Sequence, residues 1–223
     1  MMMGQKKDAN TLLLLHAEDF TDSSKFNNTI YNVNVNLVSG KFGNSFEFLN
    51  PNDCVYTNNI SSFVFGTSDF TIDFWIKRVG TCKYSGVFCP IGNTQWNYVA
   101  GGWQISLDSA GTSLLFSATN NTNPNNVTIS EVVIASNLAL NTWYHVALVR
   151  KDSVIKSYVN GVLYQTFTCN ISLTAQGSVL IGRHDGRSDQ SFAISNHCID
   201  EFRISNIARW TANFTPPTAP YTI

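Results

Sequence analysis

The sequence predicts an all-β protein built from two packed antiparallel sheets. Apolar and polar residues alternate through much of the chain, and no segment keeps a helical period over three turns. Gly, Asn, Ser and Pro clusters also interrupt the apolar runs at short intervals. With 223 residues, 43% of them hydrophobic, the chain can bury one large core. It reads as an N-terminal extension over residues 1–10 and a single domain over 11–223.

Strands are expected near residues 12–16, 31–38 and 45–49. The clearest follows, "DFTIDFWIKR" at 69–78, where Phe70, Ile72, Phe74 and Ile76 share the face that meets a core. Thr71, Asp73, Trp75 and Lys77 point the other way. Further strands fit near 102–107, 113–118 and 127–135, around the polar, Asn-rich "ATNNTNPNNVT" at 118–128, which is expected to be exposed and mobile. "TWYHVALVRKD" at 142–152 is apolar on both faces, as a mid-sheet strand covered on both sides requires. His145 within it is read as a hydrogen-bonded structural residue. In "SVIKSYVNGVLYQTFT", Asn160-Gly161 joins two apolar runs and takes the positive φ values of a two-residue hairpin. Strands near 178–183 and 197–205 follow. The last, "CIDEFRIS", alternates Ile199, Glu201, Arg203 and Ser205 against Asp200, Phe202 and Ile204, and is placed near the chain start. "NIARW" then makes one short helical turn, and the proline-rich tail runs extended as a strap or edge cover.

Charge excludes some partners. Only 13% of residues are charged, 14 basic against 15 acidic, so no broad positive field attracts nucleic acid or an anionic membrane. No apolar run approaches the roughly 20 residues that span a bilayer. "TLLLLHA" falls short of a signal sequence, which is not expected here. Five cysteines without CxxC spacing point to buried free thiols rather than zinc or a disulfide framework, with a Cys82–Cys89 loop as the alternative. Six Asn-x-Ser/Thr sequons, in a chain this rich in Asn, Ser and Thr, do not establish secretion.

Several segments recur in a familiar order: "LLLLHAEDFTDSS" at 12–24, "GKFGNSFEF" at 40–48, "DFTIDFWIK" at 69–77, "GGWQISLD" at 101–108, "NTWYHVALVR" at 141–150, "YVNGVL" at 158–163, "VLIGR" at 179–183 and "IDEFRISNIARW" at 199–210. Together they resemble the laminin-G-like domains of the concanavalin-A-like lectin and glucanase superfamily. The Arg-Trp followed by "FTPPT" is similar to modules of phage and other viral structural proteins. The resemblance implies a jelly-roll sandwich of about a dozen strands, but no activity, because one fold hosts unrelated functions.

Function must therefore come from sites. The glucanases carry a Glu-x-Asp-x-Glu strand, and none is present. Glu131 stands alone, while Asp200 and Glu201 are adjacent and face opposite sides of a strand, so no pair of carboxylates suits glycoside hydrolysis. His16, His145, His184 and His197 are scattered, and no G-x-S-x-G elbow presents a serine. The chain is read as a non-enzyme.

The resemblance implies Ca²⁺, since laminin-G-like domains often hold one; Glu18, Asp19 and Asp22 of "HAEDFTDSS" with Asp200 could ligate it and join the chain ends. The same acids serve equally as turn caps. Asp185 and Asp189 in "RHDGRSDQ" form a second acidic turn, read as a solvated loop before a metal site. For a sugar, Trp96 and Tyr98 in "GNTQWNYVAGG" offer rings, and Arg183 and His184 polar contacts. Trp75, Trp103, Trp143 and Trp210 are assigned to packing. The resulting expectation is a virion-associated binding or decoration module that meets a surface glycan or a neighbouring virion protein, alone or as a homo-oligomer, assembled in the host cytoplasm or else extracellular. A purely structural virion protein and an accessory domain of a glycan-active enzyme are the alternatives.

Overall fold

The computed structural model describes residues 8–120 and 127–222, so the N-terminal seven residues and most of the Asn-rich segment lie outside the described residues. One sheet contains β3 (Asn36–Ser39), β4 (Asn44–Phe48), β15 (His197–Ser205), β6 (Phe70–Arg78), β11 (Trp143–Lys151), β12 (Val154–Val159) and β13 (Val162–Thr168) in that order, with β1 (Thr11–Leu15) also paired to β15. The other runs β2 (Tyr31–Val33), β5 (Cys54–Thr57), β14 (Val179–Ile181), β7 (Gly86–Cys89), β8 (Trp103–Leu107), β9 (Leu114–Ala118) and β10 (Ile129–Ala135). Each named pairing is antiparallel. This is the sandwich the alternation predicts.

Aromatic rings fill the space between the sheets. Phe74 and Phe88 both stack on Phe202, at 5.6 and 5.8 Å between centroids, and Trp103 packs on Phe70 at 5.6 Å. All five are fully buried, and burial of such a side chain contributes roughly 2–3 kcal/mol. Phe70, Ile72, Phe74 and Ile76 enter this core as expected. Trp103, Ile105 and Leu107 do so from β8, which leaves Gln104 and Ser106 on the outer face.

The expected strand over 31–38 is two strands in different sheets. Asn34 adopts φ 55°, and the Asn32 side chain accepts from Val35 N–H at 2.8 Å, so the chain turns and crosses between layers. β5 and β7, four residues each, were not anticipated, because they are too short and too uniformly apolar to show alternation.

Alternation also fails once in β15. Asp200 pairs with Trp75 and Arg203 with Asp73, so β15 carries an extra residue, and Glu201 has φ 51°. The bulge lets Ile199 and Phe202, three apart, enter the same core.

The C-terminal segment straps the outer face of the eight-stranded sheet, but without the expected helical turn. Thr71 Oγ1 donates to Ile207 O at 2.7 Å and accepts from Arg209 N–H at 2.9 Å, which commits those backbone groups to β6. Trp210 stacks on Phe214, 4.0 Å apart and 8° from parallel, over Ala147, Val149 and Tyr158. β11 is thereby covered on both faces. The Asn160-Gly161 turn takes φ 49° and 78°, and Gly161 O accepts from Phe214 N–H. A Cβ at Gly161 would stand 1.9 Å from Phe214 O, so the turn also needs glycine for the strap's close approach.

The five cysteines are free and buried, and burial pushes their thiols up. Among the described residues, no helix is long and apolar enough to cross a membrane.

Candidate functional site

The outer face of the seven-stranded sheet carries a groove of about 200 Å³. Its floor follows from strand alternation: with the odd-numbered residues of β8 in the core, Gln104 and Ser106 point outward beside Leu115 and Ser117 of β9. A 3-10 turn over Trp96–Tyr98 raises the Trp96 ring as one wall, where it packs with Cys89, Ile91, Val99 and Val127. The opposite rim is a bulge in β10 at Ser130 and Glu131. Glu131 adopts φ 52°, uncommon for a side chain other than glycine, and its N–H donates to Ser117 Oγ at 3.0 Å. The bulge aims Glu131 over the groove.

His184 closes one end. Its Nδ1 lies 3.3 Å from Asp185 Oδ2, and its Nε2 lies 3.2 Å from Gln104 Nε2. Asp185 is fully buried. Burial alone would raise its carboxyl, but His184 and Arg187 hold it well below the usual carboxylate range. His184 Nδ1 thus lies between Asp185 Oδ2 and Arg187 Nη2, each at 3.3 Å, while Nε2 meets the Gln104 amide. The Gln104 oxygen is buried without a hydrogen-bond partner. Such an atom costs free energy unless something donates to it.

The sequence brought two of its four proposed ligand contacts to this place. Trp96 and His184 line the groove. Tyr98 is exposed and does not line it, because the 3-10 turn directs alternate rings apart. Arg183 faces a separate hollow beside Cys54, Tyr56 and Leu180, and its guanidinium donates to Arg187 O at 2.6 Å. Beyond β14 the chain bends at Gly182, φ 91°, and Arg183 and His184 line different hollows, so they do not serve one site. Gln104 and Glu131 were not singled out for binding. The outward position of Gln104 was legible in "GGWQISLD", whereas Glu131 depends on a bulge that no spacing reveals.

A larger hollow, about 350 Å³, opens beside the strap at Val149, Val154 and Trp210. None of its polar lining residues is buried. The smaller groove converges Gln104, Ser106, Ser117 and His184, all buried, which is the pattern of a selective site.

The acids proposed for calcium are committed elsewhere. Asp22 accepts from Leu14, Ser24 and Asn28 N–H, from Ser24 Oγ and from Asn28 Nδ2. Asp19 caps Thr21, and Glu18 accepts from Asn44 N–H and Nδ2. Asp200 accepts from Lys41 and Phe42 N–H through Oδ2. Among the described residues, no three His, Cys, Asp or Glu side chains form a group able to hold a metal ion. Glu18, Asp19, Asp22 and Asp200 thus act as turn and hairpin caps, and the set does not fit Ca²⁺ as one cage. Asp185 and Asp189 likewise fail to pair, since Asp185 holds Arg187 and Gln190 while Asp189 caps Ser191. Calcium or EDTA is expected to leave the melting temperature unchanged. A site filled at a hundred times its Kd would add about 2.7 kcal/mol, a shift of several degrees that would restore the calcium reading.

The chain ends are joined without a metal. Arg209 donates to Asp8 and Thr11, and Glu201 accepts from Tyr221 N–H while its other oxygen meets His16 Nδ1 at 2.8 Å.

A family model described as the concanavalin A-like lectin/glucanases superfamily, Laminin_G_3, matches residues 50–213. The chain belongs to this laminin-G family. Among solved structures, the binding domain of Paraclostridial Mosquitocidal Protein 1 is 20% identical, with a TM-score of 0.69 over 89% of this chain and 49% of that one. The receptor binding domain of botulinum neurotoxin D is 16% identical, with a TM-score of 0.67 over 90% and 50%. A third comes from work on botulinum neurotoxin type C, whose cell entry depends on interaction with two ganglioside molecules; it is 19% identical, with a TM-score of 0.66 over 89% and 48%. At such identities the likeness establishes the fold, and this laminin-G chain spans about half the length of those structures. No curated protein matches it. Glu131 is the one acid in the groove's lining, so the lining does not hold the pair of carboxylates that glycoside hydrolysis needs.

Proposed function

We propose that the chain is a non-enzymatic module that binds a surface glycan in the groove between Trp96 and Glu131, displayed in many copies on a virion. The observation that carries the reading is the groove itself, an aromatic wall over buried amide, hydroxyl and imidazole groups with one amide oxygen lacking a donor. A pyranose presents an apolar face for a ring and hydroxyls for the polar groups. At about 200 Å³ the groove lies below the roughly 300–1,000 Å³ of drug-sized sites, so it suits one sugar ring. Such contact is weak singly, and multiplicity converts it to adhesion. The virion setting draws support from the Arg-Trp and "FTPPT" ending and is tested by cosedimentation of the chain with particles.

Saturation-transfer NMR against a glycan panel tests the site. Trp96→Ala is expected to cost about 2 kcal/mol of binding, roughly thirtyfold in Kd, with Trp96→Phe retaining part of it. Binding left intact in a folded Trp96→Ala variant would remove the groove from consideration.

A further inference from the structure

The groove's charge and hydrogen-bonding character, taken with the glycan reading above on which this rests, name the class of sugar. We infer that the groove selects a neutral glycan terminus, rich in hydroxyl donors, and rejects sialylated or sulfated ones.

The acceptor side is assembled from two elements. Gln104 lines the groove from β8, and Glu131 lines it from the β10 bulge. A ligand that meets the Glu131 carboxylate must donate to it. Sugar hydroxyls can do so, whereas a ligand carboxylate or sulfate brings acceptors only.

The cationic side is missing because the nearby cations are spent on the protein. Arg187 donates through Nε to both oxygens of Asp185, forms an ion pair at 2.8 Å and lies over the Phe192 ring at 4.5 Å. Arg183 bonds Arg187 O and faces the other hollow. Lys83 sits over the Tyr84 ring, 5.8 Å from its centroid, and does not itself line the groove. Glu131 is left as the only carboxylate in the lining, which holds no lysine or arginine. An anionic sugar would face like charge with no salt bridge to offset it.

The test is a printed array in which each neutral glycan is paired with its sialylated or sulfated counterpart. The wild-type chain is expected to prefer the neutral member by about tenfold or more, with signal lost in Trp96→Ala. Glu131→Gln keeps the side chain's shape and should narrow the preference severalfold. Equal or stronger Trp96-dependent binding of the acidic member would overturn the neutral assignment and leave glycan binding standing. Absence of any signal that Trp96→Ala removes would overturn the glycan reading, and this assignment with it.

Discussion

Asp73→Ala is expected to destabilise the fold by about 3–5 kcal/mol, because it strands a buried guanidinium. Asp73 is fully buried on the outer face of β6, directly beside Arg203 in the β6–β15 register. Arg203 Nε and Nη2 donate to its two oxygens at 3.1 and 2.9 Å. Tyr221 Oη donates to the same carboxylate, and His145 Nε2 lies 3.0 Å from that hydroxyl and 3.7 Å from Asp73 Oδ2. Burial alone would raise Asp73, but the Arg203 charge overrides it and holds the carboxyl below its ordinary range. Arg203 also lies over the Tyr221 ring, 3.8 Å from its centroid, so the cluster clamps the strap to the sheet. Tyr221→Phe removes one hydroxyl and should cost about 1–2 kcal/mol. Urea denaturation of both variants gives the magnitudes, and limited proteolysis should cut Asp73→Ala first within residues 206–222. A loss under about 1 kcal/mol for Asp73→Ala would show that the clamp adds nothing to a strap already held by Trp210 and Phe214.

That clamp marks where sequence reasoning stops. The alternation of "DFTIDFWIK" assigned Asp73 to the face opposite the core, which is correct, and a face opposite the core ordinarily meets water. Prolines in the tail pointed to a strap. Neither indicated that the strap would lie on Asp73 and convert a surface acid into a buried one, because that contact joins residues 148 apart. Long uniform strands were legible for the same reason that β5 and β7 were not: a period of two needs several residues to declare itself. Bulges concealed the most. Those at Glu131 and Glu201 break the period where a side chain is re-aimed, so the groove's carboxylate and the strap's anchor both fall where alternation gives the wrong face. Trp96 and His184 could be singled out because their loop chemistry needs no register.

Between about pH 4 and 7 the stability of the wild-type chain is expected to stay nearly level, while Asp200→Asn and His197→Phe tilt it in opposite directions. Asp200 is fully buried, its Oδ1 has no partner, and burial, reinforced by the Glu201 charge, raises its pKa to about 7 against donation from Phe42 and Lys41 N–H. The native state therefore holds a proton that the unfolded chain, with an Asp pKa of about 3.9, releases. Stability from Asp200 is full below pH 4 and lost as pH rises to 7, by about 4 kcal/mol. His197, fully buried and stacked on Phe48 at 5.0 Å, is lowered by burial to about 3. Here the unfolded imidazole, at about 6.5, takes up the proton first, so stability is lost as pH falls from 6.5 towards 3, by a similar amount. The two slopes oppose each other over their shared window. Asparagine at 200 still accepts from Lys41 and Phe42 and removes the downward slope, so Asp200→Asn should gain stability with rising pH relative to wild type. Phenylalanine at 197 removes the upward slope, and that variant should lose stability with rising pH. His16, raised chiefly by its hydrogen bond to Glu201, adds a further loss above pH 6.5 in all three proteins. Urea midpoints measured from pH 4 to 8 decide the matter through slopes rather than absolute stability, which the substitutions also change. Three parallel curves would mean that neither group changes protonation on folding.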